Sequence, residues 1–464
     1  MIPRSWEFRA GPGIALVAIL ALLSAGPLWL PAAVAQGQDW VVSGLFTLEN
    51  AVRELKGNLI IESGGELRIT NSTLVLNCTK DGEFEIIVEE GGRLTADRAN
   101  LTPGPTRNRY WFRVNGSLEM TGCEVSGTRG QFDTGGIYLS PSSTAAITRC
   151  HLFDNQWYAV IVNGSSPAIS DCSIDAVKSG IRVENGGAPT ISGNTIRGAE
   201  RQAIIVLNSN PVISNNRILD NNQGIDLDRS KPQISGNEIA GCRLWGIQCY
   251  DFSDASISGN AISKCAQEGI SVASSSPTII GNVISDNQDG VNATGSSASL
   301  TRNTITGNRG WGVFCKSGAP SLNDNNFTNS RGEHNGVGDI AVVWSLAVLV
   351  EESGRGPVKG ADVSVKDKSG KSIFNGKTGD DGTVSGIELF EYHTDSSGQH
   401  TDTPHKINVK RGELSSGSDM TMDRDQQVTA KLGRKSSSFL PGPGVVIAAL
   451  SISLAALVFR RKRI

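Results

Sequence analysis

Pro211-Val212-Ile213-Ser214-Asn215-Asn216-Arg217-Ile218, then the polar turn Leu219-Asp220-Asn221-Asn222-Gln223, then Gly224-Ile225-Asp226-Leu227, is one copy of a unit that recurs through the middle of the chain. Full copies begin at Pro167, Pro189, Pro211, Pro232 and Pro277 and degenerate ones at Ala145, Ala255, Ala298 and Pro320, a period of 21 to 23 residues. Within each copy the apolar residues alternate with polar ones, and Gly and Asn punctuate the alternation, so each copy predicts short strands and turns rather than a helix. A period near 22 without a Leu-x-x-Leu-x-Leu frame excludes a leucine-rich horseshoe and predicts a right-handed parallel β-helix, its coils about 4.8 Å apart.

Outward from the clear copies, Gly65-Glu66-Leu67-Arg68-Ile69, Gly92-Arg93-Leu94 and Gly116-Ser117-Leu118-Glu119-Met120 read as earlier coils with longer turns. The whole is an all-β chain with about twelve coils over residues 67–330, preceded by an N-terminal cap and first strand at residues 36–66. Alignment of the copies produces one column: Ser72, Ala99, Cys123, Cys150, Cys172, Asn194, Asn216, Asn237, Asn260, Asn282, Asn303 and Asn325. Stacked asparagines can bond to one another and to turn carbonyls, so this column is expected to be a structural ladder. The same register places Cys242 and Cys265 at matched positions of adjacent coils, within reach of a disulfide.

Composition agrees with a folded, strand-rich chain: 54 glycines in 464 residues, 38% hydrophobic and 19% charged. A formal net charge of -3 offers no positive field for a phosphate backbone, which argues against nucleic acid as a partner. Arg4 and Arg9, an apolar run and Ala33-Val34-Ala35 predict a secretory signal peptide at residues 1–35. Residues 439–459 are apolar and are followed by a basic tail, residues 460–464, the pattern of a membrane-spanning or sorting segment ending on the cytoplasmic side. Sequons at Asn71, Asn77, Asn100, Asn115, Asn163, Asn292 and Asn326 suit an exported, surface-exposed chain. Between the repeat and the tail, residues 337–432 lose the 22-residue rhythm and read as a β-sandwich, joined to the tail by a linker at residues 433–438.

Three resemblances follow from these motifs. The repeat is similar to the β-helix repeats of NosD-like and carbohydrate-binding or sugar-hydrolase-type surface proteins, over roughly residues 58–330. Gly356-Pro357-Val358-Lys359-Gly360-Ala361-Asp362-Val363-Ser364-Val365 with Thr378-Gly379-Asp380-Asp381-Gly382 resembles the carboxypeptidase regulatory-like β-sandwich family, whose members imply a spacer or adhesive role. Leu440-Pro441-Gly442-Pro443-Gly444 resembles the C-terminal sorting signals of archaeal surface proteins, although Pro443 stands where their motif has Phe.

Chemistry on such a scaffold sits on the outward face of the Gly-Ile-x-Val strands. The polar peak there is Asp226 and Asp228, beside Trp245, Tyr250 and Asp251, with Arg182 and Glu184 two coils away and Trp311 in a later turn. Aromatic rings stack on sugar faces while carboxylates take hydroxyls, so these residues are candidate glycan ligands. A solvated strand face would carry the same charges for solubility alone. If the chain is an enzyme, Asp226 and Asp228 are the candidate catalytic pair of a polysaccharide lyase or glycoside hydrolase; if the patch holds an ion, calcium is the expected one. Gly-His-Gly and Asp-Pro-His motifs of known β-helix enzymes are missing from the sequence. His393, His400 and His405 with Asp395 and Asp402 form an irregular polar loop for which no metal site is expected. The reading is a membrane-tethered, exported surface protein, non-catalytic, binding glycan or building the cell envelope; the alternatives are the lyase or hydrolase above and a NosD-like copper accessory.

Overall fold

The computed structural model describes residues 37–131, 134–175, 178–318, 320–328, 340–395, 398–432 and 440–441. The expected signal peptide, residues 1–35, the linker and the basic tail lie outside these, as does the apolar 439–459 segment apart from Leu440 and Pro441. No helix among the described residues is long and apolar enough to cross a membrane.

Thirteen coils of a parallel β-helix stack in register, each contributing one strand to each of three sheets. In the coil that carries the quoted stretch, Val212–Ser214 enters the second sheet and Arg217–Leu219 the third, and Gln223–Asp228 opens the next coil in the first sheet. One inward residue per short strand forms a continuous column: Ile191, Ile213, Ile234, Ile257 and Ile279 on the second sheet, Ile196, Ile218, Ile239, Ile262 and Ile284 on the third, all fully buried. On the first sheet the inward residues come in pairs, such as Ile225 with Leu227 and Ile247 with Cys249.

The corner between the second and third sheets is the same in every coil. A residue with positive φ ends the second-sheet strand: Asn50, Asn71, Arg98, Gly122, Arg149, Asp171, Gly193, Asn215, Gly236, Gly259, Gly281, Arg302 and Asp324, with φ between 47° and 68°. A side chain there costs about 1 kcal/mol, which explains the frequent Gly, Asn and Asp. The next residue turns inward and is the ladder. Asn237 shows its work: its Oδ1 accepts from the Asn216 backbone N–H and Nδ2, both at 2.9 Å, while its Nδ2 donates to Ile213 O at 3.0 Å and Asn260 Oδ1 at 2.9 Å. The chain of amide bonds runs unbroken from Asn194 to Asn325. Toward the N-terminal end the ladder changes to thiols: Cys172 donates its N–H to Asn194 Oδ1, and Cys150 N–H meets Cys172 Sγ at 3.4 Å.

Two differences from the sequence expectation concern the coil count and the disulfide. Residues 36–66 are not a separate cap. Trp40–Val42, Leu45–Glu49 and Val52–Leu55 form the first coil, paired in parallel with the next, which raises the count from twelve to thirteen. This coil lacks the repeat motif because its open end is closed by aromatic and cationic side chains: Trp40 packs edge-on against Phe46 at 5.1 Å, and the Arg53 guanidinium lies 3.6 Å above the Trp40 ring. Cys242 and Cys265 stand as free buried thiols, not as a disulfide. They are rungs of a second ladder at the corner leaving the third sheet, where Ala199 N–H donates to Asn221 Oδ1, Cys265 N–H to Asn287 Oδ1, and Asn287 N–H to Asn308 Oδ1.

The C-terminal unit is grafted onto the last coil through one strand. Ile340–Glu352 pairs in parallel with Val313–Lys316 at its beginning and with Gln426–Leu432 at its end, while Thr383–Asp395 runs antiparallel along its other edge. A separate four-stranded antiparallel sheet buries Val363, Val365, Ile407 and Val409 in the same core as Leu346, Val348, Val350 and Leu389.

Replacing Asn237 by Ala takes the acceptor from the Asn216 N–H and the side-chain donor from the Ile213 carbonyl, and removes one of the bonds made by each of the neighbouring Asn216 and Asn260 amides, all in a buried corner. At about 1–3 kcal/mol for each unpaired group, a loss of roughly 3–5 kcal/mol is expected in urea unfolding. Asn237→Cys should lose less, because the chain itself uses thiols in this column.

Candidate functional site

Strand alternation places Asp226 and Asp228 on the outer face of coil 9, between inward Ile225 and Leu227. In register across the first sheet, Asp226 lies between Ile205 and Gln248, and Asp228 between Leu207 and Tyr250. The two carboxylates have different surroundings. Asp228 forms an ion pair with Arg229 Nε at 2.9 Å. Asp226 is only 5% exposed, and its Oδ2 accepts from Gln202 Nε2 at 3.3 Å. Burial, aided by the negative charge of Asp228, pushes the Asp226 carboxyl up to about 7, against the opposing pull of Gln202 and Arg201. Burial and the same two aspartates also raise the Tyr250 phenol.

Around Asp226, four buried polar atoms accept or donate no hydrogen bond within the protein: Asp226 Oδ1, Gln223 Oε1 and Asp228 Oδ1 on the same strand, the last of these paired only in charge with Arg229, and Trp245 Nε1 on the adjoining coil, whose carbonyl accepts the Gly224 N–H. Trp245 and Tyr250 are half-buried, each with part of its side chain facing outward. Asp251 and Phe252 follow in a turn with positive φ at both residues, and Phe252 is 74% exposed.

The structure therefore brings together Asp226, Asp228, Trp245, Tyr250 and Asp251, and separates the other three candidates. Arg182 and Glu184 are closed on each other, Nε and Nη2 to Oε2 at 2.8 and 2.6 Å, and Arg182 also reaches Tyr158 OH at 3.1 Å. Apolar Ile205 and Leu207 stand between this pair and the aspartates. Trp311 is 6% exposed and faces Phe390 of the C-terminal unit at 6.2 Å, so it is a packing residue and no sugar platform. Sequence reading missed Gln202, Gln223 and Phe252. The glutamines precede the Ala203-Ile204 and Gly224-Ile225 steps, where the alternation that identified the aspartates has not begun; Phe252 lies beyond the strand.

The donors of the shelf do not form a calcium site: Asp228 is engaged by Arg229, and among the described residues no group of three or more His, Cys, Asp or Glu is placed to hold a metal ion. The histidine segment expected as an irregular loop is strand: His393 lies in Thr383–Asp395, its antiparallel partner His400 in Gly398–Thr401, and His405 opens His405–Arg411. His393 Nδ1 lies 2.6 Å from Asp402 Oδ2, His400 stacks on His393, and His405 is buried with Nε2 2.8 Å from the Phe390 carbonyl.

The carboxyl's position predicts a pH signature. The folded state keeps the Asp226 proton up to about 7, whereas the unfolded chain releases it near the ordinary 3.8, so stability is lost as pH rises between these values. Asp226→Asn removes that loss: its advantage in thermal unfolding should be near zero below pH 4, grow through pH 7 and level off at roughly 2–4 kcal/mol by pH 8. An advantage that shrinks with rising pH would contradict the assignment.

A family described as the right handed beta helix region matches residues 179–331, which include this face. No curated protein matches the chain. Among solved structures, the chain is similar to a double mutant of the periplasmic alginate epimerase AlgG, at 16% identity over 60% of this chain and 78% of that one, with a TM-score of 0.40. Tailspike protein 3 of bacteriophage CBA120 is similar at 12% identity over 77% and 64%, TM-score 0.41. A mutant tailspike of E. coli bacteriophage HK620, solved in complex with a hexasaccharide, is similar at 10% identity over 72% and 84%, TM-score 0.35. At these identities the likeness concerns the fold alone.

Proposed function

We propose that this chain is an exported, membrane-tethered surface protein whose β-helix binds glycan, without catalysis, on the face around Asp226. The observation that carries the reading is the group of unpartnered buried atoms at Gln223, Asp226 and Trp245, beside the partly outward-facing rings of Trp245 and Tyr250. In the asparagine ladders buried amides are paired coil to coil. Buried side-chain atoms without a hydrogen-bond partner also occur at Glu85, Arg129, Asn155 and Ser165, but the group at Asp226 stands beside the half-buried rings of Trp245 and Tyr250, which offer faces to a sugar. Export and anchoring rest on the leader-like and tail sequences. A segment of residues 36–432 on a glycan array should bind a defined set of sugars, and Trp245→Ala or Tyr250→Ala should weaken that binding at least tenfold. Unchanged binding would remove the site.

A second reading has its own observation in Asp226. A carboxyl held near 7 is suited to exchange a proton at neutral pH, as a polysaccharide lyase or glycoside hydrolase requires, with Asp228 beside it on the same face. Release of unsaturated or reducing-end products from a polyuronate, abolished by Asp226→Asn, would establish it; absence of product from wild-type protein supports the binding reading.

A further inference from the structure

The four-stranded sheet of the C-terminal unit has an outer face with no assigned role. Its strands lie in the order Ser372–Lys377, Asp362–Lys366, His405–Arg411, Leu414–Met420. Because Val363, Val365, Ile407 and Val409 point into the core, their alternate neighbours line the opposite face. Register aligns these neighbours in rows across the strands. One row is Lys377, Asp362, Lys410 and Ser415; the next is Asn375, Ser364, Asn408 and Gly417. A groove of about 980 Å³ runs between the two rows and crosses all four strands.

The rows differ in chemistry. In the first, Lys377 Nζ lies 2.7 Å from Asp362 Oδ1, which compensates that carboxylate and leaves the exposed Lys410 as the row's uncompensated charge. Beyond the second row, Lys366 and Lys406 face each other across neighbouring strands, with Asp419 opposite Lys406. Two lysines thus line the groove against one aspartate, and Lys366 and Lys406 stand beyond its rim against Asp419, on a chain whose net charge is -3, so the positive character is local. The second row offers amides and a hydroxyl, and it is kept low at its end by Gly417, where a Cβ would come within 2.8 Å of Asn408 Oδ1. The two rows contain no aromatic ring on which a neutral sugar or a base could stack.

We propose that this groove is a second ligand site, which takes a segment of an acidic polysaccharide: lysine ammonium groups pair with carboxylate or sulfate, and Asn375, Ser364 and Asn408 take hydroxyls. It is independent of the face around Asp226. The chemistry fits because a linear polyanion lying along the groove meets charge on one flank and hydrogen-bonding groups on the other.

The test is binding of the full chain to immobilised polygalacturonate and to the same polymer with its carboxylates reduced to alcohols. Wild-type protein should prefer the acidic polymer at least tenfold, with a preference that weakens as salt is raised. Lys410→Glu should reduce binding tenfold or more. Asn408→Ala, which leaves the charge unchanged, should also weaken it, and Lys56→Glu, which makes the same charge change at an exposed turn of the solenoid outside both sites, should not. Thermal unfolding of the exposed-site variants should match wild type. Equal binding of both polymers, or variants that bind like wild type, would overturn the proposal. Stronger binding to vesicles of anionic phospholipid with the same sensitivity to Lys410→Glu would assign the groove to a membrane surface instead. Self-association abolished by Lys410→Glu would assign it to a second copy of the chain.

Discussion

Every coil of this solenoid must turn a sharp corner between its second and third sheets, and the corner places backbone N–H and C=O groups out of reach of water. The inward asparagine resolves the difficulty with one side chain: its carbonyl takes the N–H of the preceding rung and its amide returns to a carbonyl of the coil before. Each rung is useful only if its neighbour is in place, so the bonds tie vertical register to backbone satisfaction. A slip of one residue would turn the amide out and an isoleucine column into solvent. The hydrophobic columns supply most of the burial, but they would tolerate many arrangements; the amide ladder selects one.

That logic also shows why the fold was so legible in the sequence and the ends were not. Where ladder and core columns repeat at 22 residues, the Asn spacing reports the coil directly. The first coil uses Trp40, Phe46 and Arg53 to close an open end, a task that no interior coil has, and so it shares no motif with them. The pairing of Cys242 with Cys265 failed for a related reason. Their column contains Asn221, Asn287 and Asn308, which identify the thiols as rungs and stand at a fixed step after the first ladder, but its letters change from Ala199 to Asn221 to Cys242 and Cys265, so no single residue type reports it.

The candidate site was half legible. Period-two alternation finds outward residues within a strand, and it found Asp226, Asp228 and Tyr250. It says nothing of residues before the small residue that opens each strand, Ala203 or Gly224, and Gln202 and Gln223 lie there. Nor does it say what covers a face. Trp311 occupies the same kind of turn position as Trp245, yet Phe390 from a strand some eighty residues later lies against it. Arg182 and Glu184 look like a polar patch in a list and are a closed pair in space. Charge in a sequence is counted without its counterpart; burial and partner decide whether it remains available to a ligand.

Strand Ile340–Glu352 belongs both to the last turn of the solenoid and to the C-terminal unit, and its far half lies parallel to Gln426–Leu432 over seven matched residues. Tension entering at Leu432 while the solenoid is held would therefore be directed along those two strands in opposite senses. The bonds between them would be loaded together rather than opened one after another from an end. The junction is built to resist pulling in the direction in which a chain fastened at its C-terminal side would be pulled.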